Sequence, residues 1–162
     1  MSLVRHLQLA GAALILLALL HAGFPRRFKW HEETARLSPL NRQILFVHSF
    51  FIAVTLAIFG VLSFVIAASL AAPSAVSRTV LAGFVVFWLL RLLTQLFVYE
   101  ASLWRGNRFN TAMHVLFAAF WTYLVSVYGT ALWMQTTATR SPAAGAAISA
   151  AGSPPRTAPG RP

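Results

Sequence analysis

Four apolar runs, residues 3–24, 43–68, 79–100 and 112–134, dominate the chain, each close to the ~20 residues an α-helix needs to cross the hydrocarbon core of a bilayer. A spanning segment finds no water for its backbone N–H and C=O groups, so it must be a helix or part of a closed barrel. The alternating polarity of barrel strands is missing, which leaves helices. Because the connections are short, the sequence predicts an all-α integral membrane protein, a four-helix antiparallel bundle of up-down topology.

Start and stop signals place the helices at about 3–24, 39–68, 77–101 and 111–135. Ser38 is suited to cap the second helix, with Pro39 at its first position. The preceding FKWHEETARL fits a short interfacial helix with Trp30 at headgroup level. The tail 138–162 is Ala/Pro/Gly/Ser low-complexity sequence with nothing to bury, so disorder is expected there and residues 1–137 form the single folded domain.

The first run has the basic start and apolar core of a signal peptide. No small-x-small cleavage site follows it, however, and Arg26, Arg27 and Lys29 directly after it resist translocation, so it is read as a spanning helix.

Composition agrees with membrane residence: 58% of residues are hydrophobic and only 10% charged, too few charges for an ordinary soluble domain. The net charge of +10 is concentrated in short segments beside the apolar runs. There it sets orientation and meets acidic lipid headgroups, so no nucleic acid is expected. The expected partners are the lipid bilayer including anionic lipids, and a membrane-protein partner or a second copy of the chain. Arg26, Arg27, Lys29, Arg36 and Arg42 in the first connection, with Arg105 and Arg108 in the third, outnumber Arg5, Arg78 and Arg140 on the other side. The positive-inside rule therefore predicts both termini outside, in a membrane read as a bacterial inner membrane.

Several chemistries lack their residues. There is no cysteine, which removes thiol catalysis and thiolate metal sites. There is no aspartate either, so reactions built on aspartate pairs have nothing to use. The serine-hydrolase elbow, the phosphate-binding glycine loop and the short-range His/Glu pairs of zinc proteases and di-iron enzymes are also missing. No residue is assigned a catalytic role.

What remains is a set of polar groups at one end of the predicted bundle. His21 ends the first helix, His48 lies early in the second, Tyr99 and Glu100 end the third, and His114 opens the fourth. Arg91 and Gln95 share a face of the third helix, with Tyr99 flanking and Glu100 roughly opposite. Arginine near mid-membrane costs about 2.5–3.5 kcal/mol on insertion scales, so Arg91 is expected to face the interior and find partners there. In the fourth helix His114, Ala118, Thr122, Ser126 and Thr130 recur every four residues and are read as an inward small and polar stripe.

Three readings follow. Arg91, Gln95, Tyr99, His48 and His114 can line a site for a small anionic amphiphile, namely a lipid headgroup, an isoprenoid phosphate or a quinone. The same stripe can instead dock a partner helix. Alternatively, His21, His48 and His114 can ligate haem b or a transition metal in a small membrane enzyme. Each histidine near a helix end is also accounted for as an interfacial group without further role.

Overall fold

The computed structural model describes residues 2–21, 23–27, 29–100, 102 and 104–151, with side chains as far as Thr137. The elements are α1 (Leu3–His21), α2 (Phe24–Arg27), α3 (Trp30–Glu33), a 3-10 turn at Thr34–Arg36, α4 (Pro39–Val65), α5 (Ala67–Ala71), α6 (Ala75–Phe97) and α7 (Arg108–Ala151). No strand occurs among the described residues. Four helices are long and apolar enough to cross a membrane: α1, α4, α6 and the Arg108–Thr137 part of α7.

Side-chain caps set the helix starts. Ser38 Oγ accepts the Asn41 N–H at 3.3 Å with Pro39 in the first turn of α4, as the sequence predicts. Ser74 Oγ accepts the Ser77 N–H at 3.0 Å at the start of α6, and Asn107 Oδ1 accepts the Asn110 N–H at 3.1 Å at the start of α7. The short helix expected around Trp30 is α3, whose ring neighbours are on α4: Trp30 and His31 lie 6.1 Å and 5.2 Å from Phe46. Arg27, in α2, lies over Phe109 of α7 at 5.6 Å. The connection after α1 therefore runs from the start of α7 to the start of α4.

The helix ends differ from the expected ones. α6 stops at Phe97 rather than about residue 101, and Gly106, at φ 86°, turns the chain before α7. Ile66, at φ −102° and ψ 24°, separates α4 from the short α5. Residues 138–151, expected to be disordered, continue α7 as far as Ala151. Alanine is abundant there and has the highest helix propensity, which a low-complexity reading overlooks. Residues 152–162 of that tail lie outside the described residues.

Two helix pairs carry the fold. α1 packs most extensively on α4, and the crossing is glycine on glycine. A Cβ added to Gly11 would sit 2.6 Å from Phe64 N and 2.7 Å from Gly60 O, and one added to Gly60 would sit 2.9 Å from Gly11 O. Such close backbone approach is available only where neither helix carries a side chain at the crossing.

α6 and α7 pair instead through side chains in alternating steps of three and four. Ser77, Leu81, Phe84, Trp88, Arg91 and Gln95 line α6, against His114, Phe117, Trp121, Leu124, Tyr128, Ala131 and Gln135 on α7. This is the 3.5-residue period of a coiled-coil seam. Partners meet in reverse sequence order: Gln95 with His114, Trp88 with Trp121, Phe84 with Tyr128, Ser77 with Gln135. Phe59 brings α4 to this seam through Phe84, Phe87 and Trp88, with centroids 4.5–5.4 Å apart.

The core is confined to one end. α4 buries Leu56, Gly60 and Ser63 but nothing from Pro39 to Thr55. α7 buries nothing before Trp121, and α6 only Gln95 after Trp88. At the packed end every buried polar side chain of the helix seam is bonded. Ser63 and Tyr128 share a hydrogen bond at 2.6 Å, Ser77 Oγ donates to Gln135 Oε1 at 2.9 Å, and Gln135 Nε2 donates to the Leu70 carbonyl.

Glycine substitutions test the crossing. Gly11→Ala and Gly60→Ala are each expected to destabilise the protein by about 1–3 kcal/mol through overpacking. Gly83→Ala and Gly129→Ala, where a Cβ meets nothing within 4 Å, should be neutral or stabilise by up to ~1 kcal/mol. Thermal unfolding in detergent reads the difference, and equal loss in all four variants would contradict the crossing.

Candidate functional site

Arg91 lies six residues before the end of α6, roughly 9 Å along the helix axis. Its position on the seam turns it toward α7, where its guanidinium sits over the Trp121 ring at 4.9 Å; the Tyr99 ring lies 5.9 Å away. An indole face under a guanidinium is an attractive cation–π geometry. Arg91 Nη1 donates to Gln95 Oε1 at 3.3 Å, one turn further along. The buried Gln95 then donates through Nε2 to Nδ1 of His114 at 3.0 Å. The chain Arg91–Gln95–His114 thus bridges α6 and α7 at the boundary between the packed end and the open end.

His114 is held from a second direction. Its ring stacks on Trp104 at 4.6 Å and 11°. Trp104 is fixed in turn by its carbonyl, which accepts from Thr111 Oγ1 at 2.6 Å, and Arg105 lies over its ring at 5.6 Å. Trp121 stacks on Trp88 at 5.2 Å and on Phe117 at 5.8 Å.

This network is rich in donors and poor in acceptors. The indole N–H groups of Trp88, Trp104 and Trp121 are buried without a partner. Arg91 forms no ion pair among the described residues, where the one such pair is Lys29 with Glu32 at 3.7 Å. Glu100 is the only acidic residue after Glu33 in the sequence. It lies beyond the end of α6, exposed, and accepts from Ser102 Oγ at 3.2 Å. The guanidinium is therefore bonded and stacked, while its charge has no carboxylate beside it.

The expected site residues divide accordingly. Arg91, Gln95, Tyr99 and His114 are brought together. His48 is exposed on α4, and its Nδ1–H donates to the Ile44 carbonyl at 2.9 Å; His21 does the same to Leu17 at 2.9 Å. Both are satisfied by their own helices, and neither is joined to the Arg91 network by a hydrogen bond or ring contact. Among the described residues no group of three or more His or Glu side chains is placed to hold a metal ion, so His21, His48 and His114 are not assembled as one ligand set.

The inward stripe of α7 also needs correction. Thr122, Ser126 and Thr130 are exposed. Thr122 and Ser126 donate to carbonyls of their own helix, four residues back, at 2.8 Å. A four-residue repeat drifts about 40° per step, so a stripe that begins inward at His114 ends outward at Thr130. A seven-residue repeat drifts only about 20°. At that spacing His114, Trp121, Tyr128 and Gln135 all face the seam, and the last three are the residues that a period of four hides. A shallow groove of about 850 Å³ lies along other residues of α7, among them Asn107, Arg108, Val115 and Ala119, and is separate from the Arg91 network.

Neither a family model nor a curated protein nor a solved structure matches this chain.

The Gln95–His114 bond is testable by double substitution. Gln95→Leu and His114→Leu singly should each cost about 1–3 kcal/mol by leaving a partner unsatisfied, and the double variant should cost less than their sum. Additive losses in chemical denaturation would show the two side chains to be uncoupled.

Proposed function

We propose that this chain is a four-helix antiparallel bundle in a membrane, read as a bacterial inner membrane with both termini outside, and that it binds the anionic headgroup of a small amphiphile at Arg91. Helix length and apolarity support the membrane part. So does the surface, where Leu19, Leu40, Phe50, Val65 and Phe97 are among the large apolar residues left exposed.

The observation that carries the binding proposal is the charge of Arg91: a guanidinium set into an apolar helix with no acidic partner among the described residues. An arginine so placed is expensive unless an anion or water reaches it. The surrounding donors and the basic residues at the same end, Arg105 and Arg108, favour acceptor oxygens of phosphate or carboxylate type. A planar fork of donors suits such groups better than a point charge. The partner-helix reading has less support, because Thr122 and Ser126 already satisfy their hydroxyls within α7. Haem or metal ligation would need His21 and His48 to leave their present bonds.

Binding is tested with full-length protein in nonionic detergent, titrated with dioctanoyl phosphatidylglycerol and, separately, dioctanoyl phosphatidylcholine. The anionic lipid should bind the more tightly, and Arg91→Gln should weaken it at least about tenfold, or ~1.4 kcal/mol. Equal affinity for both lipids, or no loss in Arg91→Gln, contradicts the site. For orientation, an alkaline phosphatase fused to the C-terminus should be active and a fluorescent-protein fusion dark; the reverse pattern overturns the topology.

A further inference from the structure

Arg91 has only donors, so the Gln95 atom facing it must be the carbonyl oxygen, 3.3 Å from Nη1. That fixes the amide. Its NH2 group faces His114 and donates to Nδ1 at 3.0 Å, so Nδ1 carries no proton and the ring proton of neutral His114 sits on Nε2. In the imidazolium both ring nitrogens are donors. Nδ1–H would then meet the amide NH2, donor against donor, while the one acceptor on Gln95 is occupied by Arg91. The carbonyl oxygen of Gln95 has two claimants and serves one at a time.

We propose, building on the reading of Arg91 as an anion site, that anion binding there is coupled to protonation of His114 through Gln95. The anion oxygens accept from the guanidinium and release Gln95 Oε1. The amide then turns over, and its oxygen accepts from the newly protonated Nδ1. One proton is taken from solvent for each anion bound, and no covalent bond between heavy atoms is made or broken.

The surrounding charges favour the same coupling. Arg91 approaches His114 from α6 through Gln95. Arg105 lies over the Trp104 ring on which His114 stacks, Arg108 begins the same helix, and Arg27 covers Phe109 from the connection after α1. Tyr99 faces Arg91 as a neutral phenol, and Glu100 is bonded to Ser102. The charged groups around the histidine are thus mostly cationic, and a bound anion is the component that balances an added imidazolium. By linkage the effect is reciprocal: the proton strengthens anion binding by the factor by which the anion strengthens proton binding.

The test uses full-length protein in nonionic detergent and dioctanoyl phosphatidylglycerol, a phosphodiester whose charge stays constant over the window in which histidines titrate. Affinity is expected to fall about tenfold as pH rises from about 5 to 8, and calorimetry in buffers of different ionisation enthalpy should show proton uptake on binding. His114→Gln should abolish both the pH dependence and the uptake, and Gln95→Leu should reduce them. Binding that depends on Arg91 but shows one affinity across the window and no proton uptake in the wild-type protein overturns the coupling while leaving the anion site standing. No Arg91-dependent binding at any pH overturns both. Because proton uptake is read on the wild-type protein, the outcome does not depend on how any variant folds.

Discussion

Trp88 and Trp121 lie face to face at the middle of the α6/α7 seam, both almost wholly buried. Most of the structure refers to this stack. Phe59 brings α4 onto one side of it, Phe117 and Phe120 extend it along α7, and Arg91 rests on its edge. Aromatic area of this kind contributes through packing and through ring geometry at once. In a hydrocarbon surrounding, where apolar contact alone gives helices little reason to associate, close complementary packing has to supply the attraction. The stack does so at the level where the bundle changes from packed to open.

The two sides of that level are chemically opposite. Toward Gln135 each polar group of the seam meets a partner of matching polarity: hydroxyl with hydroxyl, hydroxyl with amide, amide with carbonyl. Buried polar groups satisfied in this way rigidify a core and specify its register. Toward His114 the partners are mismatched, with many donors and few acceptors, and the charge is left unbalanced. Protein cores seldom leave such an imbalance without a use, because an unsatisfied polar group forfeits the full cost of its desolvation. The contrast within one helix pair is the physical ground for reading one end as scaffold and the other as a site.

Much of this was legible in the sequence. Length and apolarity located the four long helices, the Ser38–Pro39 start was readable from capping chemistry, and the four-residue spacing of Arg91 and Gln95 placed them on one face. His114 was selected for a reason that does not hold, since the four-residue stripe leading from it winds out of the interface. The seven-residue series His114, Trp121, Tyr128 and Gln135 carries the correct period, but its members differ so much in chemistry that no single property marks them. Glu100 was placed by helical phase opposite Arg91, yet α6 ends before it, so the phase does not apply there. His21 and His48 were grouped with His114 by depth alone. Depth does not reveal that a histidine can fold back on its own helix, as both do.

The Gly11–Gly60 crossing has a consequence for distant parts of the chain. An interface made of side chains can slide by small rotamer changes, whereas two backbones in contact through missing Cβ atoms tolerate one axial setting. Moving either helix by one residue would bring an alanine or a branched side chain into the gap. The crossing therefore acts as a fixed stop on the height of α1 against α4. With that height fixed, the residues after His21 start from a set level, and the connection from Phe109 to Phe46 has a set distance to cover. Two glycines in the packed half thereby gauge how widely the opposite half of the molecule stands apart.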